Sequence, residues 1–169
     1  MVCTGVSFGM AQEPTLVVVK DADEMSQMAA EIVAEVLTVR PTAPISLPTG
    51  STPVGMFNKL IAASQSGELD LTRFQLFCLD EYLGVTPDNP NTLTSWLKRT
   101  FIEPAGIPMS KVHTLPVDDA GPAAAARSYG QSIADAGNLA LAVLGIGNNG
   151  HIAYNEPGAD ADTRTRVID

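Results

Sequence analysis

The chain has 169 residues, 45% of them hydrophobic, and ten Lys and Arg against nineteen Asp and Glu give a formal net charge of −9. That length and apolar content fit one ordinary globular domain with a sizeable core and exclude a disordered chain. The acidic balance excludes a nonspecific grip on nucleic acid or on an anionic membrane surface, so any anionic ligand has to be held by local groups.

The opening MVCTGVSFGMAQ has neither the basic start nor the long apolar core of a signal peptide. Residues 1–12 read as an N-terminal extension, either disordered or an artefact of the start site, with Met10 an equal candidate start. Residues 13–169 read as a single α/β domain. The β-rich TLVVVK predicts a strand over Thr15–Lys20, and Asp21 with Glu24 three residues on predicts the cap of a helix. Met25, Met28, Ile32 and Val36, with Ala29 and Val33 beside them, form the expected buried stripe of that helix, which ends near Arg40-Pro41. PISLP (44–48) is the next strand. After it, Thr52 is placed at an N-cap and Pro53 at the first helical position, with Met56, Phe57, Leu60 and Ile61 facing inward. FQLFCL (74–79) predicts a third strand and buries Cys78 as an inert thiol, which together with the distant Cys3 fits a reducing cytoplasm. A helix over 92–102, a short strand KVHTL (111–115), a helix over 122–136 and the apolar strand NLALAVL (138–144) follow. Apolar strands separated by helices indicate an α/β three-layer sandwich, Rossmann-like, with a mainly parallel central sheet. No run approaches the roughly 20 apolar residues of a membrane span.

The chemistry-bearing loops all fall just past the carboxyl ends of predicted strands, the edge at which open parallel sheets bind ligands. Leu47-Pro-Thr-Gly-Ser-Thr-Pro53 has the hydroxyls, the glycine and the following helix of an anion cradle, though a simple capped turn has the same composition. It lacks the Gly-Lys-Ser/Thr of a nucleotide-binding loop. Asp80 and Glu81 end the FQLFCL strand; alternation turns one of them to the crevice, as a general base or as part of a solvated acidic turn. In Gly145-Ile-Gly-Asn-Asn-Gly-His-Ile-Ala-Tyr-Asn-Glu-Pro-Gly158, glycines 145, 147 and 150 allow a tight fold that aims His151 inward, with Glu156 available to fix its tautomer. A histidine that merely bonds within a turn fits as well. No second nearby histidine and no cysteine pair accompany it, so no metal is expected.

Together, LPTGSTP, LDEYLG and GIGNNGHIAYNEPG, in this order, resemble the glucosamine-6-phosphate deaminases, from about Thr15 onward. The related 6-phosphogluconolactonases share the first motif but typically continue the last as GHTASLFP, where this chain has GHIAYNEP with Glu156 in place. The resemblance implies an aldose-ketose isomerisation coupled to ammonia release, without metal or organic cofactor, in the cytoplasm. It implies that Thr49, Gly50, Ser51 and Thr52 hold the sugar phosphate, that Asp80 moves a proton between C2 and C1, and that His151, Glu156 and the residue at 149 open the sugar ring. Glu81, Gly147 and Gly150 would complete the pocket. The expected partner is a small-molecule sugar phosphate, with no nucleic acid and no membrane; assembly into a homo-oligomer is left open. Position 149 is Asn where the best-known members have Asp, and Ala159-Asp160 replaces the small hydroxyl residues of the family's allosteric phosphate site, although Arg166 is retained. Family members also run on past RTRVID to a basic residue that completes the phosphate site, so the resemblance implies a domain incomplete at its C-terminus.

Overall fold

The computed structural model describes residues 2–3, 14–86, 88–117, 121–160 and 162–168. Its elements are β1 (Val2–Cys3), α1 (Ala22–Val39), β2 (Pro44–Leu47), α2 (Val54–Gln65), β3 (Gln75–Cys78), β4 (Asp80–Glu81), α3 (Leu93–Leu97), β5 (Val112–His113), α4 (Pro122–Asp135), β6 (Leu141–Ala142) and β7 (Arg166–Val167). The central sheet is parallel, in the order β5-β3-β2-β6, with Leu47 opposite Cys78 and Ser46 opposite Ala142. A second, antiparallel sheet runs β4-β1-β7. The expected extension at residues 1–12 thus includes the paired Val2–Cys3 backbone, and its remaining residues lie outside those described.

Alternation along β3 shows the layering. Phe77 meets the Tyr129 ring of α4 edge-on at 5.9 Å on one face, while Cys78 lies against the Thr94 hydroxyl of α3 on the other. On the α3 side, α2 bridges its neighbours: Phe57 stacks on Phe101 at 4.6 Å, and Gly55 of α2 lies so close to Ser26 of α1 that a Cβ there would collide with the hydroxyl. Fully buried Ile45, Leu47, Leu76 and Phe74 fill the space between the layers. α3 continues through Lys98–Ile102 as a π-helical turn, in which the Glu103 amide reaches back to the Lys98 carbonyl at 3.0 Å. The Tyr129 hydroxyl donates to the carbonyls of Cys78 and His113, both at 2.9 Å, tying together the carboxyl ends of β3 and β5. Among the described residues no helix is long and apolar enough to cross a membrane.

Several expectations are corrected. Thr15–Lys20 is not a strand: residues 14–19 have no regular structure, and Leu16 and Val18 are 87% and 85% exposed. β-branched content favours an extended chain, but a strand also needs a hydrogen-bonded neighbour, and no described segment supplies one. In α1 the buried face is Ser26, Ala30, Val33 and Leu37, whereas Met25 and Ile32 are exposed. Close approach to Gly55 selects small residues, so the bulkiest stripe is not the packed one. The α2 helix begins one residue later than expected, with Pro53 at its N-cap and no side-chain cap. β6 keeps only Leu141–Ala142, both half-buried at the edge of the sheet.

Candidate active site

Because β2, β3 and β6 are parallel and in register, the segments that follow them leave the sheet at one edge, with the Pro48–Pro53 loop between the other two. In that middle loop Gly50 has φ +108, a conformation that favours glycine, and Ser51 and Thr52 are exposed. Thr52 does not cap α2. The hydroxyls of Thr49, Ser51 and Thr52 have no hydrogen-bond partner among the described residues, and they precede a twelve-residue helix whose first amides no side chain satisfies.

The two carboxylates of the DEY segment have opposite surroundings although both are buried. Glu81 is fully engaged: Oε1 accepts from the amides of Tyr82 at 2.9 Å and Leu93 at 3.0 Å, and Oε2 accepts from Thr94 at 2.8 Å. It therefore anchors the start of α3, beside the Thr92 hydroxyl that accepts from the Ser95 amide. Asp80 has a buried Oδ1 with no partner among the described residues. Burial, and secondarily the neighbouring Glu81 charge, push its carboxyl up to about 7. A carboxyl in that state exchanges a proton at neutral pH without a large driving force in either direction. Glu81→Gln should cost about 1–3 kcal/mol of stability, since it sets an amide NH2 against N–H donors, and a urea melt unchanged from the parent would contradict this role.

In the third segment, polar groups form a chain. Glu156 Oε2 accepts from Asn149 Nδ2 at 2.7 Å, and Asn149 Oδ1 lies 2.7 Å from His151 Nδ1. The carboxylate takes the amide NH2, so the amide oxygen faces the imidazole. An amide oxygen only accepts, so Nδ1 carries the hydrogen and Nε2 presents its lone pair. Asn149 Oδ1 also accepts from the His151 amide at 3.2 Å. Glu156 thus fixes His151 through Asn149. Gly147 lies directly beneath the ring, where a Cβ would overlap Cε1, Nδ1 and Nε2. Gly150 adopts φ +89 as the chain turns, whereas nothing lies near Gly145.

Two residues of the site were not anticipated from sequence. Tyr82, two residues after Asp80, and Tyr154, inside the histidine motif, bring their hydroxyls to 3.1 Å. Both stand within quoted motifs, but only the fold brings them together. Arg166, in β7, has a buried Nη1 without a partner among the described residues, and Asp160 accepts from the Asp162 amide within its own turn.

A parallel sheet with a hydroxyl-lined loop, a buried carboxyl and an oriented imidazole beyond its strand ends marks an α/β protein with a candidate acid–base site at one sheet edge. The family model for glucosamine-6-phosphate isomerases and 6-phosphogluconolactonases matches residues 20–168, and the chain belongs to that family. It is 34% identical over 153 residues to glucosamine-6-phosphate deaminase 2 of Bacillus subtilis, covering 90% of this chain and 61% of the relative. Against the glucosamine-6-phosphate deaminase of Clostridium acetobutylicum it is 35% identical, covering 90% and 64%. The solved structure of a monomeric glucosamine-6-phosphate deaminase matches with a TM-score of 0.84 at 33% identity, over 89% of this chain and 62% of that one. A 6-phosphogluconolactonase from Thermotoga maritima shares the fold, with a TM-score of 0.65 at 22% identity over 80% of this chain and 61% of the other. The chain thus spans about three-fifths of the length of these relatives.

Proposed function

We propose that this protein converts glucosamine 6-phosphate and water to fructose 6-phosphate and ammonia. The observation that carries the reading is Asp80, a buried carboxyl with a free oxygen and a proton affinity set near neutrality, at the same sheet edge as an imidazole held in one tautomer. The unengaged hydroxyls of Thr49, Ser51 and Thr52, with the positive-φ turn at Gly50, suit the phosphate ester. His151 Nε2 accepts the O1 proton and returns a proton to the ring oxygen, which opens the sugar, while Asn149 and Glu156 hold the ring. Asp80 then removes the C2 hydrogen and delivers it to C1, while the carbonyl oxygen O1 takes up the proton that the C2 amine gives up, leaving a C1 hydroxyl and a C2=N imine. Addition of water at C2 and loss of ammonia give the ketose. The identities to named deaminases support this substrate over a lactone.

Ammonia and fructose 6-phosphate formed in equal amounts from glucosamine 6-phosphate are the expected result. Hydrolysis of 6-phosphogluconolactone with no ammonia would replace this reading by the lactonase one. Binding of the phosphosugar with no turnover would make the chain a noncatalytic phosphosugar-binding module.

A further inference from the structure

The hydroxyls of Tyr82 and Tyr154 meet at 3.1 Å, with ring centroids 6.3 Å apart and planes inclined by 58°. Their strands are not neighbours: β2 lies between β3 and β6, so the two segments leave the sheet roughly 10 Å apart. The pair therefore links the two segments across the carboxyl end of β2. Tyr154 sits at the tip of a turn whose flanks, Ile152 and Asn155, exchange backbone hydrogen bonds of 3.1 and 3.0 Å, with Ala153 at φ 54. The base of the turn is closed in turn, because the Gly147 amide donates to the His151 carbonyl at 2.8 Å and Ile146 bridges Ile152. A displacement of the tip is thus carried by backbone to His151.

We propose that the Tyr82–Tyr154 hydroxyl pair is a positioning clasp that holds the His151 segment against the Asp80 strand end, an inference that rests on the reaction proposed above. Tyr154 stays protonated in use, since burial and then the Tyr82 contact raise its hydroxyl above the usual range. Both phenols act through the segment's backbone.

The chain has two histidines, so its imidazole nitrogen spectrum has one signal set from His151 and one from His113, which stacks on Phe77 at 4.1 Å and reports an intact core. The parent is expected to show the Nδ1–H tautomer at His151. Tyr82→Phe and Tyr154→Phe should each move it toward a mixture of tautomers, with Asn149→Ala setting the scale of full release. The double variant should go no further than either single one, and His113 should stay unchanged. Parent-like His151 signals in both single variants, or a double variant equal to the sum of the two, would overturn the clasp. In the deaminase assay each single variant should lower kcat about tenfold with KM within about twofold. A rise in KM alone would instead make the hydroxyls direct substrate contacts and overturn the positioning role. A parent that releases no ammonia overturns the reaction proposed above, and the imidazole spectrum then decides the clasp by itself.

Discussion

Asp80→Asn is expected to be more stable than the parent at pH 8 and nearly inactive. An aspartate in an unfolded chain ionises near 4, whereas Asp80 in the folded chain is pushed up to about 7 by burial. At pH 4 and below both states hold the proton, and the group favours neither. Between about 4 and 7 the unfolded state releases its proton while the folded state keeps it, so the unfolded state binds fewer protons and stability falls as pH rises. Above 7 the loss is complete and levels off. Asparagine has no such proton, so its advantage should grow through that window to roughly 2–4 kcal/mol at pH 8 and disappear toward pH 4. Denaturant melts at pH 4 and pH 8 measure it, and equal midpoints at pH 8 would mean that the carboxyl is not held in an unfavourable setting. The same variant should lose at least about 100-fold in kcat with substrate affinity little changed, since the amide keeps the shape but cannot accept a proton from carbon.

Gly147→Ala should abolish most activity without unfolding the protein. The imidazole of His151 occupies the space that a Cβ at 147 would take, so the ring has to swing away and give up the Asn149 contact that sets its tautomer. A drop in kcat of about 100-fold is expected, the scale that misplacement of a reacting group by an ångström costs. Gly145→Ala is the matched control, because open space surrounds that position. If both alanines behave alike, the glycine under the ring is not what seats the histidine.

The sequence made legible those features that depend on local composition. Pro44–Leu47 and Gln75–Cys78 were readable as strands because short, mostly apolar runs without a strict polar alternation bury on both faces, and α4 because its proline and its apolar spacing sit where a helix start requires them. The ordering of the loops along one edge followed from the alternation of strand and helix. What depended on a partner was not legible. Thr15–Lys20 has the composition of a strand but no neighbour among the described residues, and the buried face of α1 was set by how closely Gly55 approaches Ser26. The site divides in the same way. Asp80, His151, Glu156 and Asn149 could be picked out from their motifs, but the division of labour between Asp80 and Glu81 depended on where the amides of Leu93 and Thr94 end up. Tyr82 and Tyr154 are 72 residues apart in sequence, and no local pattern pairs them.

Cys78 offers a way to watch the sheet open. Its thiol is enclosed between β3 and α3, and burial pushes it up to about 12, so the folded chain presents almost no thiolate to an alkylating reagent. Labelling at this position therefore requires the layers to part, and in a Cys3→Ser background the labelling rate becomes a clock for such openings. Because the thiol lies two residues before Asp80, the clock records how often the floor beneath the buried Asp80 carboxyl is lost, a quantity that neither a melt nor a turnover number contains.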